Sequence, residues 1–288
     1  MFLKYVVKYN KYQNINQILK QEFHISARLF HKLIVEKHVL LNGLIADTRS
    51  SVINGDIVTV NLDFEEESEN IVAVKMPLDI IFEDDGLLIL NKPAGIAVHP
   101  SILHYENSLS NGVKFYFESI GLKRKIRPVN RLDLNTSGLI VFAKNEYIQE
   151  CLIQQMNNHM FKKEYITIVS GHFDKPCGTI NLPIARKNNS IIERCVSSDG
   201  QEAITEYCVL KEFDDHSIVK CSLKTGRTHQ IRVHMAAIGH PLIGDTMYGV
   251  PSPFINRQAL HSYRICFTHP VSHENLEFVC DFPEDMRI

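Results

Sequence analysis

The chain lacks any run approaching about 18 consecutive apolar residues, the length a membrane-spanning helix needs. Its first residues, MFLKYVVKYNKYQN, hold no apolar stretch long enough for a signal peptide. A cytoplasmic protein is therefore expected. Cys-x-x-Cys pairs are missing too. The seven cysteines, Cys151, Cys177, Cys195, Cys208, Cys221, Cys266 and Cys280, are odd in number and scattered. That pattern predicts reduced thiols and argues against a disulfide framework or a cysteine zinc site. Nor is there a basic excess: the net charge is −2 and the pI near 6.7. A basic total would point to nucleic acid, so any RNA contact has to come from local patches. No Walker loop and no glycine-rich dinucleotide fingerprint occurs. No cofactor and no metal are expected.

What is present is enough for a full core, with 44% hydrophobic residues in a chain of 288, the length of one large domain or a small one joined to a larger. The most pointed stretch runs from Arg127 to Asn145. A polar turn, Asp133 to Ser137, passes through Gly138 into an apolar strand, Leu139 to Ala143. Successive apolar residues there predict a strand covered on both faces. Two readings of Asp133 stand open. It caps a turn with Thr136 and Ser137, or it is a working carboxylate, flanked by Arg131, at the mouth of a buried strand.

Upstream, residues 14–36 read as two short helices, with Ser26 as N-cap of the second. A strand Val39–Leu41 meets a turn at Asn42 and Gly43, and a further strand ends at Val60. Arg28, Lys32 and Lys37 fall near one side of the second helix, as a solvated face would. The acidic run from Asp63 to Asn70 reads as a linker, giving domains at 1–62 and 75–288 with the linker at 63–74. Strands are expected over Leu78–Phe82 and Leu87–Leu90, a helix over Glu146–Asn158 and a strand over Lys162–Val169. Lys123 to Arg127 holds four basic residues in five, beside the Asp133 turn, which favours phosphate contact. A turn at Thr225 and Gly226 feeds a predicted helix with Arg227 and Ile231 four apart.

Arg131-Leu132-Asp133, Thr136-Ser137-Gly138-Leu139 and Phe142 to Asn145 resemble the signature of the RluA-type pseudouridine synthases. Further motifs follow in the family's order: Asn91 to Pro100, Lys162 to Tyr165, Pro183 to Arg186, Leu223 to Met235, Gly239 to Asp245, and Gln258 to His261. Departures are Asn130 where the family usually has His, Ala185 for Gly, and Ser262 where Ala is frequent. Residues 13–60 resemble the small "S-four" RNA-binding domain, an appendage known in such synthases.

The resemblance implies an α+β fold: a mixed, largely antiparallel central sheet with flanking helices, plus a small N-terminal α/β RNA-binding domain. It implies isomerisation of uridine to pseudouridine on a base taken out of its stack. Asp133 is then the catalytic residue, Tyr165 lies against the base, and Arg227 forms an ion pair with Asp133. Arg131, Asn130, Lys92, His99 and Arg186 are expected at the substrate, with Ile231 and Leu260 walling the pocket. For Lys92 and His99 a rigid loop packed beside the site is the other reading. Arg28, Lys32, Lys123, Arg124, Lys125, Arg127 and Lys162 are expected on RNA. The partner expected is ribosomal RNA or a ribosome precursor, met by a monomer. Transfer RNA is the alternative substrate. A non-catalytic RNA-binding assembly protein is the alternative class, and Asn130 is the feature that supports it. A phosphodiesterase built on Asp133 and His99 would lack a second carboxylate cluster or metal site.

Overall fold

The computed structural model describes residues 1–9, 11–66, 70–249 and 251–287. The N-terminal part contains β1 (Phe2–Val6), α1 (Ile15–Gln21), α2 (Ala27–Val35), β2 (Val39–Leu41), β3 (Leu44–Ile45) and β4 (Ile57–Asn61). Local chemistry places most of these. Asn14 and Ser26 cap the two helices by accepting from Gln17 and Leu29 backbone amides at 3.1 and 3.2 Å. Asn42 and Gly43 both have positive φ, 50° and 84°, as a two-residue hairpin turn between β2 and β3 requires. The four strands form a sheet in the order β1-β4-β2-β3.

The larger part follows with β5 (Ile80–Glu83), β6 (Leu87–Lys92), α3 (Leu109–Ser119), β7 (Arg127–Pro128), β8 (Ser137–Ala143), α4 (Glu146–Asn157) and β9 (Lys162–Ser170). It continues with β10 (Cys177–Asn181), β11 (Ile184–Arg186), β12 (Arg194–Val196), β13 (Ile204–Glu212), β14 (His216–Leu223), α5 (Gln230–Ala237), β15 (Leu260–Thr268) and β16 (Asn275–Val279). Ten of these strands build one sheet, ordered β10-β13-β14-β9-β15-β8-β6-β5, with β16 on β15 and β7 on β8. Neighbours are antiparallel except at β15 and β8, where His261 and Ser262 lie parallel to Ser137 and Gly138. This is the α+β architecture expected.

That junction fixes the central turn. Gly138 has φ 106°, and a Cβ there would sit 2.3 Å from the Ser262 carbonyl oxygen. Only glycine allows the two backbones to meet so closely. Beyond it all seven residues of β8 are buried. Leu139, Val141 and Ala143 pack on one face with Leu87 and Ile89; Ile140 and Phe142 pack on the other with Leu88 and Leu90. Each fully buried large side chain contributes about 1.5–3 kcal/mol.

The N-terminal domain packs against the larger part: Leu3, Ile18, Leu29 and Val58 share one buried cluster with Leu87, Val141 and Ile148. Ser26 donates to Glu150 at 2.6 Å across the same contact. The acidic run is no passive linker. Glu66 is 8% exposed and receives Arg127 through both guanidinium nitrogens at 2.6 and 2.8 Å, and Lys32 at 2.9 Å. The thiol expectation also fails in part. Cys177 and Cys208 stand directly opposite on β10 and β13 and are joined as a disulfide, while the other five cysteines are free. Register, which brings residues 31 apart face to face, is not visible in spacing.

Candidate active site

The turn before β8 opens into a cleft of about 1370 Å³. Asp133 lies on it with its side chain 24% exposed, and Thr136 donates its amide back to the Asp133 carbonyl at 3.1 Å. Tyr165 from β9, Ile231 from α5 and Leu260 from β15 line the same space and are all nearly buried. Burial first, and the Asp133 charge second, push the Tyr165 phenol well above its ordinary range. It is a neutral ring with a proton at its tip.

The cation beside Asp133 is Arg232, not Arg227. Arg232 Nη1 is 3.4 Å from Asp133 Oδ2, while its Nε and Nη2 hold Asp245 at 2.6 and 2.9 Å. Asp245 is 1% exposed and also accepts the Met247 and Tyr248 amides. Burial opposes ionisation of Asp245, but Arg232 outweighs it and holds the carboxyl below the usual range. The Arg232 guanidinium also lies over the Tyr248 ring, 4.9 Å from its centre. Arg227 precedes the helix. Its amide is held by Gln230 Oε1 at 2.9 Å, and its exposed side chain turns to the Glu202 carbonyl at 2.9 Å. The helix starts only at Gln230, after His229 in a left-handed conformation with φ 59°. That start aims Arg232 at Asp133.

Other expected substrate residues divide. Arg131 stands exposed on the cleft rim, 3.4 Å from the Thr228 hydroxyl, and His99 is exposed on the cleft opposite, 3.3 Å from Ser110. Lys92 does not face a polyanion. It is fully buried under the turn, and Nζ donates to the carbonyls of Pro93, Ile96 and Leu134 at 2.8–2.9 Å. Burial pushes its amine down to about 7, with Asp133 opposing. Three carbonyl acceptors are nevertheless the partners of an ammonium, since a neutral amine has two protons. Lys92 ties the loop to the turn. Asn130 borders the cleft, but its amide is committed to β8, accepting from Val141 N at 2.9 Å and donating to Leu139 O at 3.4 Å.

The expected RNA residues divide more sharply. Lys125 is exposed on the cleft, and so is Arg28, whose side chain remains 85% exposed while 3.5 Å from Glu146. Lys32 and Arg127 are bound to Glu66, Lys123 to Glu65 at 3.1 Å, and Arg124 to Asp63. Lys162 is exposed but off the cleft; its neighbour Lys163 lines it beside Tyr165. The strand period of two, anchored on Tyr165, points to 163 rather than 162.

A second cleft of about 490 Å³ adjoins the first and is lined by Arg131, Arg186, Arg194 and Arg227. The chain has twelve arginines, and among the described residues six (Arg28, Arg124, Arg127, Arg232, Arg257 and Arg264) sit within ion-pair distance of a carboxylate. Four of the remaining six converge here. Arg194 is the member that motif reading missed.

The fold and its cleft are those of an enzyme class that modifies RNA. Residues 86–237 match the family model described as RNA pseudouridylate synthase, and residues 6–58 match the RluD ribosomal pseudouridine synthase N-terminal domain. The chain belongs to the RNA pseudouridine synthase family, whose members are isomerases. It is 39% identical over 246 residues to the uncharacterized RNA pseudouridine synthase YjbO of Bacillus subtilis, covering 85% of this chain and 87% of that one. It is 34% identical over 290 residues to ribosomal large subunit pseudouridine synthase D of Escherichia coli, covering 95% and 88%. The solved structure of human RNA pseudouridylate synthase domain containing 1 superposes with a TM-score of 0.58 at 26% identity, covering 76% and 86%.

Proposed function

We propose that this protein isomerises uridines of large-subunit ribosomal RNA, in the cytoplasm and as a monomer, with Asp133 as the acting carboxylate. The observation that carries the reading is Asp133 itself, partly exposed on the cleft, with Arg232 as counter-ion and the Tyr165 ring on the adjoining wall. In the reaction the N1–C1′ bond of uridine breaks and a C5–C1′ bond forms. The C5 proton leaves and N1 takes one up. A carboxylate against the nucleotide, an apolar wall of Ile231 and Leu260, and a phenol that keeps its proton are what this sequence of bonds needs. Arg131, always charged and planar, suits the rim position beside a flipped base.

The ribosomal assignment is supported by the Escherichia coli relative, which aligns over both domains. Ribosomal RNA as substrate in turn supports the cytoplasm. With three of the four cations of the contiguous basic run occupied by carboxylates, the free arginines at 131, 186, 194 and 227 are the better candidates for phosphate contact.

The test uses RNA tritiated at C5 of uridine, taken from cells lacking this protein. Wild type should release label from ribosomal RNA, and Asp133→Asn should release none while still binding. Release from transfer RNA alone would move the substrate. No release from either, with binding intact, would overturn the enzymatic reading in favour of an assembly protein.

A further inference from the structure

One polar group on the cleft has no part in the chemistry above. His229 Nε2 lies 3.9 Å from Asp133 Oδ2, on the carboxylate oxygen that Arg232 also approaches, and its side chain is 10% exposed. Its other nitrogen, Nδ1, is 2.9 Å from the Tyr248 hydroxyl. That hydroxyl already accepts the Arg194 backbone amide at 2.7 Å. A hydroxyl has one proton to give, and His229 Nδ1 is the acceptor it meets. With Nδ1 assigned as the acceptor of that proton, the ring proton falls on Nε2, facing Asp133. The backbone at this position is constrained as well. His229 holds φ 59°, a conformation that costs a non-glycine residue energy and persists only where the surroundings impose it.

We infer that His229 is a positioning residue, a neutral Nε2–H donor that meets the Asp133 carboxylate and fixes its working orientation when substrate is bound, with its tautomer set by Tyr248. At 3.9 Å the pair lies outside hydrogen-bond range in the free protein, so the inference places the contact in the substrate complex, where catalytic hydrogen bonds tighten. The charged and titratable groups facing the ring are Asp133, Arg232, Arg194, Asp245 and Tyr248. Burial pulls the imidazole below its usual range, Asp133 opposes, and Arg232 and Arg194 add to the fall. Neutrality matters: an imidazolium would pair with Asp133 and take the lone pair the reaction uses. The chain also reaches outward, since Arg194 belongs to β12 beside the arginine-lined cleft.

The inference rests on Asp133 being the acting carboxylate, so tritium release is measured on five proteins. Asp133→Asn tests the acting-carboxylate reading. His229→Asn keeps a side chain that tolerates left-handed backbone but is too short to reach Asp133. His229→Gln restores an amide donor near the Nε2 position. Tyr248→Phe frees the tautomer. With Asp133→Asn inactive, His229→Asn should lose about tenfold in kcat, the rate equivalent of one neutral hydrogen bond, with KM within about twofold. His229→Gln should recover most of the loss. Tyr248→Phe should shift the acid limb of the kcat profile to higher pH, because Nδ1 becomes free to take a proton. Wild-type kcat in His229→Asn would overturn the inference, as would equal losses in the Asn and Gln variants. An active Asp133→Asn would instead sink the function reading and leave His229 without a role to position.

Discussion

Two basic regions flank the cleft, and they differ in what their charge can do. The run from Lys123 to Arg127 is the densest positive stretch in the sequence, yet three of its four cations are held by Asp63, Glu65 and Glu66. Only Lys125 is left on the cleft. Arg131, Arg186, Arg194 and Arg227 are scattered over almost a hundred residues of chain and form no visible patch, yet they line one cleft with no carboxylate in ion-pair range among the described residues. Charge density along a sequence is therefore a poor measure of charge available to a polyanion. The dense run is an interdomain clamp; the dispersed set faces outward.

The contrast can be tested from its strongest consequence down. Arg127→Ala leaves the buried Glu66 short of its bidentate partner and should cost roughly 3–5 kcal/mol of stability by urea unfolding. Its RNA salt dependence should barely move. The same clamp is acid-sensitive. Burial raises the Glu66 carboxyl, but hydrogen bonds from Arg127 and Lys32 win and hold it at about 2 against the usual 4.5. Its folded value is depressed, so the stabilisation is fully present above about pH 4.5 and fades as pH falls through 2. Glu66→Gln should lose about 3 kcal/mol at neutral pH, and the gap to wild type should close towards pH 2. On the other side, Arg186→Ala with Arg194→Ala should leave unfolding nearly unchanged. It should lower the slope of log affinity for RNA against log salt by about 1.4, two phosphate contacts on a single strand. An unchanged slope would return the phosphate role to the clamp region. Lys123→Ala should do least, within about 0.5 kcal/mol in stability and with no change in slope, because its pair is exposed.

Much of this was legible where the cause is local. Ser26 as a cap, the Asn42–Gly43 turn and the doubly covered β8 follow from side-chain chemistry and from runs of a few residues. Asp133 and Tyr165 were legible as motif positions, and the cleft brings them together. The failures have more than one origin. The resemblance puts Arg227 on Asp133, but the left-handed His229 delays the helix to Gln230, and Arg232 is the cation that reaches the carboxylate. Glu66 looked like linker because its partner lies 61 residues away. Lys92 looked like a phosphate ligand because nothing in its neighbours reveals three carbonyls closing over it. β1 and α3 were not anticipated at all, although both are well-formed elements. For Glu66, for β1 on β4 and for the Leu134 carbonyl on Lys92, the deciding contact joins residues far apart in sequence.

The burial of Glu66 has a practical consequence for anyone dividing the protein. A fragment beginning after the acidic run would not be the larger domain relieved of an appendage. It would carry Arg124 and Arg127 stripped of their counter-charges, and a face of α4 and β8 that the N-terminal helices had covered. Such a fragment should be sticky towards any polyanion, RNA included. Its enhanced binding would be an artefact of the cut, made of cations the intact molecule keeps to itself.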